Sequence, residues 1–134
     1  MKNSMMVSGK RKSALAKVKV AAGSGKVLYN NQPLTRLFSL HRLALEEPLE
    51  IAKHVLGNLP VDLSVKTSGG GTEGQIQASR LAIAKAIIAH TKSADLKKAY
   101  LLYDRGLLVA DTRRKEPYKP GDSKARAKRQ KSYR

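Results

Sequence analysis

Val61-Asp62-Leu63-Ser64-Val65-Lys66-Thr67-Ser68-Gly69-Gly70-Gly71-Thr72-Glu73-Gly74-Gln75-Ile76-Gln77-Ala78-Ser79-Arg80-Leu81-Ala82-Ile83-Ala84-Lys85-Ala86-Ile87-Ile88 changes period halfway along. Up to Thr67, apolar or β-branched residues alternate with Asp62, Ser64 and Lys66, the pattern of a half-buried strand. After the glycines the period becomes helical. Ile76, Ile83 and Ile87 fall on one line, with Ala84 and Ile88 beside it. Ala78, Ala82, Ala86 and Ala89 form a second face of small residues that permits close packing. Gln77, Leu81, Lys85 and Lys92 lie opposite both faces, so the spacing predicts the central core helix. Thr72 and Gln75 have the spacing of a Thr-x-x-Gln capping box, which sets its start.

Upstream, Glu46-Glu47-Pro48 places acids and a proline where a helix N-terminus accepts them. Leu49, Ile51, Ala52, Val55 and Leu56 continue the helical period to a Gly57 cap. Further back, Ala16, Val18 and Val20 alternate with Lys17 and Lys19 as a strand. Gly23-Ser24-Gly25 reads as a hairpin turn into a second strand, Lys26–Asn30. Asn30-Asn31-Gln32-Pro33 breaks that strand, and Leu34, Leu37 and Phe38 mark a short helix. Downstream, Ser93 caps a last helix with Leu96, Tyr100 and Tyr103 on one face and Gly106 at its end. Leu107-Leu108-Val109-Ala110 reads as a terminal strand or a docking segment. The order is β-β-α-β-α-α with that further strand. It predicts an α+β two-layer sandwich, a mixed four-stranded sheet with helices on one face.

The 134 residues allow one domain and an appendage. Residues 1–45 carry nine Lys or Arg and no acid, whereas residues 46–111 carry eight bases and eight acids. Residues 112–134 carry ten bases and two acids, with no Val, Ile, Leu, Met or Phe. This divides the chain into a body over 1–111 and an extended basic tail over 112–134. The tail cannot bury enough apolar surface to offset its ordering entropy, and it reaches roughly 70–80 Å when extended. A neutral centre between two basic ends points to a polyanionic partner. The absence of cysteine excludes disulfides and thiolate metal sites. No apolar run has transmembrane length. The N-terminus lacks a signal-peptide core, and the strand pattern that follows it argues against a transit peptide.

Candidate chemistry is sparse. Gly69-Gly70-Gly71-Thr72-Glu73-Gly74 has the G-x-G-x-x-G spacing of a dinucleotide site. Asp95, at the distance of the acid that site requires, follows no strand, and no second βαβ unit completes it. The readings that fit better are a flexible turn, or backbone N–H groups set against RNA phosphate. Gly23-Ser24-Gly25-Lys26 has Val20 and Val27 where a phosphate loop needs Gly and Ser or Thr. His41, His54 and His90 stand far apart without carboxylates at ligand spacing. The expectation is no enzyme, no cofactor and no metal. Arg80, near the isoleucine line, is either a snorkelling side chain or a guanidinium delivered to phosphate beside the glycines.

The basic stretches are different in kind. Lys10-Arg11-Lys12 leads into Lys17 and Lys19 on one strand face, a continuous stripe. In the tail, Ala125 and Ala127 alternate with Lys124, Arg126 and Lys128, letting backbone and cations approach a groove closely. Phosphate contact with counterion release would dominate affinity, and Tyr118 and Tyr133 are placed to stack on bases of structured RNA.

Four pieces of the chain resemble the universal small-subunit ribosomal protein nine family. They are Ser8-Gly9-Lys10-Arg11-Lys12-Ser13-Ala14 with Ala16-Lys17-Val18; the glycines 69–71 with Gly74-Gln75 and Ala78-x-Arg80-x-Ala82-Ile83-Ala84; Leu107–Asp111 with Arg113-Arg114 and Glu116; and Lys124–Ala127 with Arg129–Arg134. The terminal Gln-Lys-Ser-Tyr-Arg is similar to the archaeal and eukaryotic branch, where bacterial members usually end in Ser-Lys-Arg, and the compact length favours an archaeal source. The resemblance implies a ribosomal-protein-S-five second-domain-like fold and a cytoplasmic, ribosomal location. The body would bind ribosomal RNA in the head of the small subunit, beside neighbouring head proteins. Contacts to that RNA fall to Lys10, Arg11, Lys12, Lys17, Lys19, Gly70, Gly71, Arg80, Arg113, Arg114, Lys124, Arg126, Lys128 and Arg129. The tail would reach the anticodon stem-loop of transfer RNA at the peptidyl site through Lys131, Ser132, Tyr133 and Arg134. Neither a membrane nor a homo-oligomer is implied. Tyr118–Ser123 departs from the bacterial pattern in being more acidic and Pro-rich.

Overall fold

The computed structural model describes residues 4–118, 120, 125 and 126. The strands are β1 (Met5–Arg11), β2 (Ala14–Ala22), β3 (Val27–Tyr29), β4 (Gln32–Pro33) and β5 (Val61–Ser68). The helices are α1 (Ser39–Leu56), α2 (Thr72–Thr91) and α3 (Ala94–Tyr103), with 3₁₀ turns at Leu34–Arg36 and Arg105–Leu107. They build a two-layer α+β sandwich, consistent with the fold that the resemblance implies.

The alternation around Val61 and Ala16 behaves as expected. Val61, Leu63 and Val65 of β5 and Ala16, Val18 and Val20 of β2 are buried against the helices. Ile76, Ile83 and Ile87 of α2 fill the same core, and Ala78, Ala82 and Ala86 let the helix lie close to the sheet. Leu81 is buried as well, so α2 is enclosed on more sides than its wheel predicts.

The sheet itself is five-stranded, in the order β1-β2-β5-β3-β4, against four strands predicted: β1 and β4 are additional, and the run at 107–110 contributes none. Of the two additional strands, the N-terminal β1 pairs antiparallel with β2 from Met5↔Val20 to Arg11↔Ala14. Its Ser8-Gly9 centre hides the alternation that marks the other strands. Gly9 lies against α2 so closely that a Cβ there would stand 2.6 Å from the Ala78 carbonyl oxygen.

The expected hairpin between β2 and β3 does not form, because β5 lies between them. β5 runs antiparallel to β2 and parallel to β3. The Gly-rich segment at 23–25 is instead wrapped around Asp62, whose Oδ1 accepts from the backbone N–H groups of Ser24, Gly25 and Lys26 at 2.9–3.0 Å. Asn30-Asn31 does end its strand, β3 stopping at Tyr29. Both residues have positive φ, 49° and 66°, and turn β3 directly into β4 as in a type I′ hairpin. The Asn30 side chain also accepts from Thr67 N–H at 3.0 Å, stitching this turn to β5.

Three helix boundaries differ from expectation. α1 begins at Ser39 rather than at Glu46, and Pro48 lies inside it. Burial of Leu45, Pro48, Leu49 and Ala52 along one stripe outweighs the backbone hydrogen bond that proline cannot make. At the start of α2 the cap residue is Gly71, without a side-chain cap, and Gln75 Nε2 donates to the Gly69 carbonyl at 3.0 Å instead of closing a capping box. α3 ends at Tyr103, before Gly106, and Tyr103 is exposed. Ser93 does cap α3, accepting from Leu96 N–H at 3.3 Å, and Gly57 ends α1 at φ 78°. Leu107 is fully buried in the 3₁₀ turn that follows α3, so the Leu107–Ala110 run docks on the core and forms no strand.

Candidate nucleic-acid interface

The strand registers assign the outer face of the sheet, the one turned away from the helices. In one row Ser8, Lys17 and Lys66 are cross-strand neighbours; in the next, Met6, Lys19, Ser64 and Leu28; in a third, Lys10, Leu15 and Ser68. Lys17 and Lys66 stand directly opposite one another. Like charges in that position, with Cβ atoms about 5 Å apart, destabilise a sheet unless an anion lies between them. The acid on the outer face of β5 is Asp62, and its carboxylate is taken up by three backbone N–H groups. Those donors, Lys26 N–H foremost, hold its pKa below the usual carboxylate value. Lys10, Lys17, Lys19 and Lys66 therefore share a face that has no side-chain counter-charge among the described residues. Lys66 was readable as a strand residue, but only the pairing with β2 reveals it as part of this cluster.

At the end of β1 the cations converge on a second feature. Lys10, Arg11, Lys12, Ser13, Arg113, Arg114 and Lys115 line an open cleft of about 1090 Å³ between the β1–β2 turn and the chain leaving the body. Arg11 has the inward parity of Gly9, so it reaches the helix side. Its guanidinium lies 3.2 Å from Asp111. Asp111 also accepts from Arg113, through the guanidinium at 2.8–3.2 Å and through the backbone N–H at 2.9 Å. The Arg113 guanidinium first, and Arg11 with it, holds the Asp111 carboxyl down to about 2. Asp111 in turn raises Arg113. This clasp fixes the direction in which the chain departs beside the cleft.

The sign of that linkage makes a prediction. A carboxyl lowered on folding contributes stability that is complete above its unfolded value and lost as pH falls through its folded value. For Asp111 the window runs from 3.8 down to about 2. Thermal melts across this window are expected to show a shallower acid destabilisation for Asp111→Asn than for the parent chain. Equal slopes would mean that the clasp does not contribute in solution.

Next to the cleft, Gly70 and Gly71 border a smaller recess, shared with Arg11, Lys12 and Ser13, at the start of α2. Gly70 requires glycine twice over: its φ is +63°, and a Cβ would meet Ala14 at 2.9 Å. Gly71 faces open space. The uncapped first-turn N–H groups of α2 thus open beside Lys12.

Arg80 lines an adjoining recess with Lys10, Arg11, Asp111 and Arg113, and it is paired there, neither snorkelling to solvent nor lining the recess beside Gly70 and Gly71. Its guanidinium donates to Glu47 Oε2 at 2.8 Å and to Asp104 Oδ2 at 3.1 Å, tying α2 to α1 and to the turn after α3. Gly106 N–H, and then Arg80, lower the Asp104 carboxyl. Burial raises the Tyr100 hydroxyl, which donates to the Pro48 carbonyl at 2.7 Å. Further out, Arg126 is paired with Glu116 at 3.0 Å on the surface, and the Lys115 ammonium sits 4.6 Å from the centre of the Tyr118 ring. Lys124, Lys128, Arg129, Lys131, Ser132, Tyr133 and Arg134 fall outside the described residues. Among the described residues no group of three or more potential metal ligands is assembled, and no helix is long and apolar enough to cross a membrane.

Known proteins resemble the chain along nearly its whole length. The family model described as ribosomal protein S9/S16 matches residues 9–134. A protein named small ribosomal subunit protein uS9, from Methanococcus vannielii, is 46% identical over 129 residues, spanning 94% of this chain and 95% of its own. Proteins of the same name from Methanococcus maripaludis strains C7 and C5 are 46% and 45% identical over the same shares.

Proposed function

Because the chain belongs to the ribosomal protein S9/S16 family, of which it represents the archaeal branch, we propose that it is anchored in the small ribosomal subunit by its lysine-bearing sheet face. As a member of that family it is a structural constituent of the small subunit, not an enzyme, and belongs to the translation machinery. The reading beyond this rests on one observation above all: Lys17 and Lys66 face each other on an open sheet whose acid, Asp62, is already occupied. Ribosomal RNA phosphate supplies the missing anions there. The cleft of Lys10, Arg11, Lys12, Arg113 and Arg114, with the N–H groups beside Gly70 and Gly71, continues the contact towards the tail. Arg80 serves this surface indirectly, by bracing α2 against α1.

The chain is then a body over residues 1–111 and an arm over 112–134. Lys124, Arg126, Lys128 and Arg129 bind ribosomal RNA along the arm, and Lys131, Ser132, Tyr133 and Arg134 meet the transfer RNA at the peptidyl site. This division is supported by the tail's composition and by the clasp at Asp111 that aims its first residues. Sedimentation tests the first part: the endogenous chain is expected in small subunits at native salt, and a chain running free would overturn the ribosomal reading. Removing only Tyr133 and Arg134 is expected to leave assembly intact while lowering transfer-RNA affinity at the peptidyl site. If that deletion blocked assembly, the arm would not be divided in this way.

A further inference from the structure

The outer sheet face carries a second pattern besides its charge. Ser8 stands directly across from Lys17, and Ser64 directly across from Lys19. Along their own strands, Ser8 is two residues from Lys10 and Ser64 is two residues from Lys66. Hydroxyls and ammonium groups therefore adjoin one another both along and across β1, β2 and β5. Ser8 is exposed and Ser64 half-buried. The serine side chains that bond within the chain are those of Ser79 and Ser93. Among the described residues, the Ser8 and Ser64 hydroxyls have no such bond.

The rest of the face narrows the partner. Among the described residues no Phe, Tyr, Trp, His or Arg lies on the outer side of β1, β2, β5 or β3. Sheets that hold single-stranded nucleic acid stack its splayed bases on aromatic side chains or guanidinium planes. Splayed bases have no platform here. Short hydroxyl side chains instead let the sugar edge of a nucleic acid come close, while the longer lysines reach past it to phosphate. From ordinary strand spacings, Lys10 and Lys19 are roughly 14 Å apart at Cα. A face of that breadth cannot enter the minor groove of B-DNA, about 6 Å wide. The wide, shallow minor groove of A-form RNA can lie against it, and that groove displays 2′-hydroxyls. A 2′-hydroxyl donates and accepts, as a serine hydroxyl does.

We infer that the outer sheet face takes RNA in double-helical form, across its minor groove. Ser8 and Ser64 bond 2′-hydroxyls there, and Lys10, Lys17, Lys19 and Lys66 meet the flanking phosphates. This rests on the RNA reading above and adds the form of RNA bound and the residues that tell it from DNA. The test titrates the full chain with an RNA duplex of about 16 base pairs, the DNA duplex of the same sequence, and one RNA strand alone. The RNA duplex is expected to bind tightest, with a preference over the DNA duplex of about tenfold, the worth of two hydrogen bonds. Changing Ser8→Ala and Ser64→Ala together should bring the two duplexes to equal affinity without altering the salt slope or the melting temperature. The arm is present throughout, so comparing parent with variant isolates the sheet face. Equal affinity of the parent for both duplexes, tighter binding of the single strand, or a preference that survives in the serine variant would overturn the inference. Lys17, Lys19 and Lys66 changed together to Gln then decides how far the failure reaches. If that variant loses affinity for both duplexes, phosphate contact at this face stands without the 2′-hydroxyl reading. If it binds every probe as the parent does, the sheet face is not the interface and both readings fall.

Discussion

Gly9→Ala is expected to lower stability by about 2 kcal/mol and the melting temperature by roughly 8–10 °C, the scale of overpacking in a small domain. The added Cβ would stand 2.6 Å from Ala78 O, 2.9 Å from Ala82 N and 3.1 Å from Ala82 Cβ. None of these is the end of a flexible side chain that can rotate aside. The contact is relieved only by moving β1 or the whole of α2. Moving α2 would loosen Ile76, Ile83 and Ile87 together, the largest apolar side chains the helix puts into the core. Alanine also reduces the freedom of the unfolded chain, which returns about 0.4–1 kcal/mol at a compatible site; the clash outweighs that gain. Gly9→Val adds two more methyl groups against the same backbone and should approach the chain's whole stability. An unchanged melting temperature for Gly9→Ala would show that β1 is not seated on α2 in solution.

The second large effect concerns binding. Changing Lys17, Lys19 and Lys66 together to Gln should reduce affinity for small-subunit RNA on the order of a hundredfold near physiological salt, from three lost phosphate contacts. The dependence of log affinity on log salt should flatten by about 0.7–0.9 for each lysine removed. The free protein should move the other way. Relieving the Lys17–Lys66 opposition is expected to raise its stability, by up to about 1 kcal/mol. That reciprocal pattern distinguishes a binding surface from a structural one. Arg80→Met supplies the contrast. It leaves Glu47 and Asp104 without their cation, at a cost of about 2 kcal/mol given that Asp104 is nearly half exposed. It should keep the salt slope. A triple lysine variant that bound RNA as the parent does would remove the sheet face from the interface.

What could be read from the sequence follows from which forces are local. The change of period between Thr67 and Gln75 located β5 and α2 almost to the residue, because burial on one side of each element writes a repeat into the chain. Neighbour relations leave no such mark. Alternation in β2 says which side chains face the core, not that β5 rather than β3 lies alongside. The segment at 23–25 has the composition of a turn, yet its shape is set by Asp62, more than 35 residues further on. Pro48 has the local signature of a helix start, and tertiary burial of Leu45 and Leu49 overrode it. Arg80 followed the same logic: its wheel position was legible, but its partners are 33 and 24 residues away. The candidate interface was visible as charge in Lys10–Lys19. It became a surface only when Lys66 was placed beside Lys17.

The position of β5 between β2 and β3 bears on how the chain is made. During synthesis β2 and β3 emerge early, but the slot between them is filled only by residues 61–68, and α2, which covers β1 and β2, comes later still. A nascent chain that ends before β5 has β1–β2 and β3–β4 unjoined, and though α1 has been made, the helix that covers β1 and β2 has not. It can bury little and pair little. Folding of the body therefore waits on its middle, and the lysines of β2 do not acquire Lys66 as a neighbour until that step is complete. The cationic face is therefore complete only on chains in which β5 has taken its place in the sheet.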